Sequence, residues 1–176
     1  MTPILTQPYT SPLGPMILAA SDIGLCGVWF EGQRHGPSDD RLRSWTSVNA
    51  HPLLQDACAQ LQAYFAGALS RFDLPLDLSA GTAFQQSVWQ ALLAIPSGHS
   101  QSYGDLARRL SNPKAVRAVG AAVGRNPVSI IVPCHRILGG GGQLTGYAGG
   151  LWRKQALLQL EGHPIALPSS VPLFPE

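Results

Sequence analysis

The run Ile130-Ile131-Val132-Pro133-Cys134-His135-Arg136 constrains the fold more than any other stretch of the chain. Its β-branched residues predict a short buried strand. Pro133 fixes φ and has no N–H to donate, so strand pairing stops there. Cys134 is then delivered at a strand terminus, with His135 beside it and Arg136 next. A thiol attacks as its thiolate, and a neighbouring base or cation favours that form. The arrangement reads as a built nucleophile. The bland alternative, a small buried hydrophobe, suits the other two cysteines. Cys26 sits in an apolar, strand-like run, and Cys58 in a helical stretch with Leu54, Leu61 and Phe65.

The chain has 176 residues, 45% of them hydrophobic, enough for one domain or two small packed subdomains. Its three cysteines have no framework spacing, which argues against a disulfide scaffold and fits a reducing, cytoplasmic setting. No apolar run approaches the roughly 20 residues that span a bilayer, and no signal peptide is evident. No membrane partner is expected. Charge is unevenly placed. Residues 1–79 carry four basic and seven acidic residues, a net of −3. Residues 80–176 carry eight and three, a net of +5. Arg108, Arg109, Lys114, Arg117, Arg125 and Arg136 account for most of that excess. A basic half suggests a face for an anionic partner such as nucleic acid, and an ordinary solvated face is the alternative.

Periodicity predicts an α+β protein. Met16–Ala20 and Leu25–Phe30 flank a hairpin signal at Ser21-Asp22-Ile23-Gly24. Residues 32–51 read as a long loop. Leu53–Ala66 reads as a helix, with Leu54, Cys58, Leu61 and Phe65 on one face. Arg71–Leu78 alternates apolar and polar residues around Pro75, as an edge strand or an extended linker does. These segments form an N-terminal αβ subdomain, residues 1–79. Residues 80–163 change character. Thr82 caps a helix running to about Ile95. Ser102 and Asp105 make a capping box for a second helix ending near Leu110. Asn112 and Pro113 are an N-cap and first residue for a third, running to about Val123. Residues 151–161 read as a final helix stopped by Gly162. A weakly ordered tail is expected over 164–176.

The second and third helices make a helix-turn-helix candidate, though most αα-hairpins read no DNA. The third helix is slim, with Ala115, Ala118, Gly120, Ala121 and Ala122. Val116, Val119 and Val123 are expected to face the core, and Lys114, Arg117 and Ala121 the opposite side. A slim helix with a prominent Arg suits a narrow groove such as the DNA minor groove.

Several motifs stand in order: Gly81-Thr82-Ala83-Phe84-Gln85, Val88-Trp89, Ile95-Pro96, Ser102-Tyr103-Gly104, Ala118-Val119-Gly120, Asn126-Pro127, Pro133-Cys134-His135-Arg136 and Gly146-Tyr147-Ala148-Gly149-Gly150. With these the chain resembles the O6-alkylguanine-DNA alkyltransferases, or methylated-DNA–protein-cysteine methyltransferases. The match is dense over 81–162 and looser before it. The resemblance implies a ribonuclease H-like N-terminal subdomain and a mostly helical C-terminal subdomain whose winged helix-turn-helix carries the active-site cysteine. It implies a monomer that binds duplex DNA through the minor groove and flips an alkylated guanine out of the stack. Cooperative assembly on DNA and action on O4-alkylthymine are left open. One alkyl group passes irreversibly from guanine O6 to Cys134, without a cofactor.

The resemblance also assigns roles. His135 takes the Cys134 proton through a water, Glu161 orients His135, and Tyr103 donates to the leaving guanine. Asn126 ties the turn before the active-site strand to the recognition helix. Arg117 fills the gap left by the flipped base, with Lys114, Ala118, Ala121, Arg125 and Arg136 on the DNA side. Tyr147, Ala148 and Gly149, with the backbone of Ile137, form the guanine pocket, and Ser129 stands on its wall. Read separately, Tyr103 is also a core aromatic, Arg117 a solvated charge, Asn126 a helix-exit turn and Glu161 a surface acid. A last-turn acid opposes the helix dipole, however, so Glu161 needs a partner.

The chain departs from the family pattern in places. Cys26, Cys58, His35 and His51 lack tight ligand spacing, so no zinc is expected. Ser97 replaces an aromatic, Ala148 a serine of some members, and Ser129 a proline, which predicts weaker use of bulky benzyl-type substrates. Three rivals remain. A non-enzymatic alkyltransferase-like protein lacks the reactive cysteine that this chain has. A cysteine hydrolase turns over, whereas an alkyltransferase stops after one equivalent. A plain helix-turn-helix binder is indifferent to Cys134→Ala.

Overall fold

The computed structural model describes residues 2–165. The tail expected from residue 164 therefore lies outside the described residues from position 166 on. The N-terminal half is built on β1 (Leu5–Ser11), β2 (Gly14–Ala20), β3 (Leu25–Phe30) and β4 (Thr46–Ser47), in sheet order β3-β2-β1-β4. β1, β2 and β3 are antiparallel, and β4 lies parallel to β1. The expected hairpin is β2–β3.

Strand β1 departs from the sequence pattern, because Pro8 interrupts it. The register shows how the proline is tolerated. β4 pairs only with Leu5 and Thr6, and the Ile4 and Thr6 carbonyls face it. By strand alternation the missing Pro8 donor points to the same side, beyond the end of β4, where no acceptor is waiting.

Helix α1 (Asp39–Ser44) lies inside the expected loop, so that reading is corrected. Ser38 caps it, accepting from the Arg41 N–H at 3.3 Å. Asp39 and Asp40 sit in its first turn and Arg43 in its last, the order the helix dipole favours. Helix α2 (Pro52–Phe65) buries Leu54, Ala57, Leu61 and Tyr64 against the sheet. Residues 71–78 remain extended. The Leu25 N–H donates to the Pro75 carbonyl at 2.8 Å, and the Asp77 N–H returns to the Leu25 carbonyl at 2.9 Å.

The C-terminal half contains α3 (Ala83–Leu93), β5 (Gln101–Ser102), α4 (Tyr103–Arg109), α5 (Val116–Gly124), β6 (Ile137–Leu138) and α6 (Leu151–Leu160). Two of the three expected N-caps are present, Thr82 with Gln85 and Ser102 with Asp105 forming capping boxes, whereas Asn112 does not cap α5, whose N-cap position is Ala115. α4 and α5 make the helix-turn-helix, beside the two-stranded pair β5–β6. The Trp89 indole fastens α3 to α5 by donating to the Ala122 carbonyl at 2.8 Å, in the core.

Two readings change here. α5 starts at Val116, because residues 111–115 form a tight turn with Ser111 at φ +58° and the Ala115 N–H on the Asn112 carbonyl. Val116 is consequently 39% exposed and does not face the core as Val119 and Val123 do. Nor is Ile130–Val132 a strand. Those side chains are buried, but the backbone closes on itself, with the Val132 N–H on the Val128 carbonyl and the Cys134 N–H on the Val132 carbonyl. Ile130 holds φ +72°, an outlier for a β-branched residue. The apolar run reflects burial rather than sheet pairing.

The outer edge of β3 joins the halves. The Val28 N–H donates to the Pro127 carbonyl at 2.9 Å, and the Ser129 N–H returns to Val28 at 3.0 Å. The turns that carry the cysteine are thus anchored on a rigid strand.

Candidate active site

Asn126 leaves the end of α5 and staples the turns together. Its amide Nδ2 donates to the Val132 carbonyl at 2.7 Å, and its Oδ1 accepts from the Val128 N–H at 2.9 Å. Cys134 follows in a single 3₁₀ turn, Cys134–Arg136, with only 7% of its surface exposed. Burial pushes its thiol pKa up, while the Asn126 amide, the charge of Lys154 and the turn's own N–H pull it down. The buried thiol therefore needs a base.

A candidate base is adjacent in the chain. His135 is fully buried, and its Nε2 lies 2.7 Å from Oε1 of Glu161. Glu161 closes α6, and its side chain is 1% exposed. Arg136 donates to both its oxygens, Nε to Oε2 at 3.0 Å and a terminal nitrogen to Oε1 at 2.8 Å. The Tyr64 hydroxyl adds a donor at 2.8 Å. The donors on His135 and Arg136 hold the Glu161 carboxyl ionised, well below the usual range, against the cost of burial. Burial in turn keeps His135 neutral by lowering its pKa. With the carboxylate ionised, Nε2 carries the ring proton and donates it. Nδ1 is left unprotonated, buried and without a hydrogen-bond partner among the described residues.

Cys134 borders a cavity of about 170 Å³, shared with Tyr103, Gly120, Ala121, Tyr147 and Ala148. Burial raises the Tyr103 pKa, so its hydroxyl stays a proton donor. Three residues expected at the guanine lie off that wall. Ile137 is fully buried. Gly149 backs the wall, since a Cβ there would lie 2.8 Å from the Tyr147 ring and 3.1 Å from Phe30. Ser129 is buried with its hydroxyl 3.4 Å from Gln33 Oε1. Ser129 does not border this cavity, so its expected effect on bulky benzyl-type substrates has no geometric basis here.

Lys114, Arg117, Ala118, Ala121 and Arg125 are exposed along the turn before α5, α5 itself and its exit. Arg136 was expected with them and is not there. Its guanidinium is buried, holding Glu161 and donating to the Ile95 carbonyl at 2.6 Å. Among the described residues, no group of three or more His, Cys, Asp and Glu is placed to hold a metal ion, and no helix is long and apolar enough to cross a membrane.

Two family models match nearly the full length. Residues 4–78 match the ribonuclease-like domain of 6-O-methylguanine DNA methyltransferase, and residues 83–163 its DNA binding domain. The chain belongs to the 6-O-methylguanine DNA methyltransferase family. It is 49% identical over 164 residues to the methylated-DNA–protein-cysteine methyltransferase of Mycobacterium leprae, covering 93% of this chain and 94% of that one. The same identity, over 155 residues, holds for the protein of that name from Methanosarcina acetivorans, with 88% and 96% covered. Among solved structures it is similar to Mycobacterium tuberculosis OGT in complex with DNA, at a TM-score of 0.80 and 46% identity, covering 89% of this chain and 92% of that chain.

One residue of this family member's site escaped the sequence reading. Lys154 on α6 is fully buried. Its Nζ donates to the Ile137 carbonyl, to Thr145 at 2.8 Å and to Gly146 at 3.1 Å. It thereby closes the loop over 139–146 and brings a positive charge toward Cys134. Burial lowers its pKa to about 8, so it stays mostly charged at neutral pH. The signal is in the sequence, because Lys154 stands at i, i+3, i+4 with the buried Leu157 and Leu158 of α6.

Proposed function

We propose that this protein repairs DNA directly, by moving an alkyl group from O6 of guanine to the sulfur of Cys134, once per molecule. The observation that carries the reading is Cys134 bordering a cavity along α5, next in the chain to a buried His135 whose Nε2 is held by Glu161. α5 lies in the DNA minor groove, and the damaged guanine is extruded into the cavity at a cost of a few kcal/mol in lost stacking. Arg117 occupies the vacated place. Lys114, Arg125 and the small Ala118 and Ala121 hold the helix close to the backbone.

His135 Nδ1 removes the Cys134 proton, through one water. The imidazolium that forms is met by the Glu161 carboxylate. The thiolate attacks the alkyl carbon, the C–S bond forms and the carbon–O6 bond breaks. Charge left on guanine is met by the Tyr103 hydroxyl, and the base recovers the proton. A thioether remains, and no residue of the site is placed to reverse it. The reaction needs no cofactor. We take the working state to be a monomer in the cytoplasm, a setting that its free thiols fit.

Intact-mass measurement after incubation with a duplex containing O6-methylguanine tests this. A single methyl gained, mapping to Cys134 and stopping at one equivalent, is the expected result. Tight lesion binding with no mass gain is the result that overturns it.

A further inference from the structure

We propose that the turn between β3 and α1 supplies an N-terminal wall of the substrate cavity, and that Arg34 on it recognises an anion delivered with the flipped nucleotide. This rests on the alkyl-transfer reading and extends it across the subdomain boundary.

The turn reaches the site through its backbone. The Arg34 N–H donates to the Ala148 carbonyl at 3.0 Å, so the turn is fixed to the loop that borders the base. Gln33 shapes it, with Oε1 accepting from the Phe30 N–H at 2.8 Å. Arg34 and His35 then line the same cavity as Cys134, with Arg125 facing them from the exit of α5. Neither the Arg34 nor the His35 side chain has a hydrogen-bond or ion-pair partner among the described residues. No Asp or Glu lines the cavity. A guanidinium at the rim of a cavity without carboxylates has nothing to neutralise it until a ligand arrives.

Two features of a substrate bring a negative charge to this rim. One is a carboxylate on the O6 substituent, as in O6-carboxymethylguanine. The other is a phosphate flanking the extruded nucleotide. Transfer of the first kind balances as the methyl case does. The thiolate bonds to the methylene carbon, the carbon–O6 bond breaks, guanine takes the proton, and S-carboxymethylcysteine remains.

The test compares wild type with Arg34→Gln, and with Arg34→Ala/His35→Ala, on four substrates: O6-methylguanine and O6-carboxymethylguanine, each as free base and in duplex. The readout is the rate of Cys134 alkylation by mass, and matched thermal midpoints confirm folding. Both variants should lose about two- to fivefold on the anionic substrates relative to methylguanine base, the range of an exposed charge pair, with the loss shrinking at high salt. Loss confined to the carboxymethyl substrates, base included, identifies the substituent as the anion. Loss on both duplexes and neither base identifies the phosphate. Equal factors on all four substrates, or no change, overturn the proposal. Failure of the underlying reading looks different, because wild type then gains no mass on any substrate.

Discussion

Oε1 of Glu161 lies 2.7 Å from Nε2 of His135, and this one contact decides which ring nitrogen is free to act as a base. The carboxylate is held by Arg136 and Tyr64 as well, so it imposes the tautomer rather than following it. Replacing Glu161 by Gln removes the negative charge, exchanges one of the two acceptor oxygens for a donor NH2 facing Arg136, and leaves the Arg136 charge buried and unpaired. Breaking a buried pair from one side costs about 3–5 kcal/mol. Urea denaturation should show that loss, and alkyl transfer should slow in the folded fraction. A variant as stable and as fast as wild type would remove Glu161 from the mechanism.

Stability should fall on acidification in two stages. The folded pKa of His135 is depressed, so below its unfolded value of about 6.5 only the unfolded chain takes up the proton, and stability drops. Glu161 is depressed too, so its contribution is complete above about pH 4.3 and drains away below it. Unfolding free energy measured from pH 8 to 3 should slope downward through both ranges. His135→Gln should flatten the first slope and leave the second.

Lys154 lends its charge to the Cys134 thiolate and ties down the loop that follows. Lys154→Met keeps most of the volume and discards the charge. The pH profile of alkylation should move to higher pH, and a tenfold weaker thiolate, about 1.4 kcal/mol, moves it by about one pH unit. Lys154→Arg is the control that keeps a charge in place. Unmoved profiles in both variants would confine Lys154 to packing.

Arg117 separates flipping from chemistry. Arg117→Ala should slow repair of methylated duplex far more than reaction with free O6-methylguanine, since a free base needs no extrusion. Equal losses on the two substrates would rule out that role. Cys134→Ser should abolish transfer and keep duplex binding, which gel shift and mass measurement read separately.

Much of this was legible in the chain. The capping boxes at Thr82 and Ser102, the β2–β3 hairpin and the Cys134–His135 pair are local patterns, and local patterns survive folding. What failed was long-range. Ile130–Val132 has strand chemistry, yet Asn126 folds it into turns, which no periodicity reveals. Arg136 sits among exposed arginines in sequence, and only the meeting of the 3₁₀ turn with the end of α6 turns it inward. Lys154 has the chemistry of a solvated residue, though its spacing from Leu157 and Leu158 puts it on the buried face of α6. The burial of Glu161 was anticipated only as a need for a partner, and the structure supplies three.

Among those three partners, Tyr64 has the widest consequence. It stands on α2, in the half of the chain that matches the ribonuclease-like model, and its hydroxyl completes the donors around a carboxylate of the other half. The division near residue 80 separates two units of sequence, but the proton inventory of the reaction spans it. Excision of residues 80–163 as a free-standing reagent would strip the Tyr64 donor from the Glu161 carboxylate and Arg34 from the cavity beside Cys134. On the proposed reading the first half takes part in the reactive centre, and exchanging it for another fold would take away the Tyr64 donor that helps hold the Glu161 carboxylate beside His135.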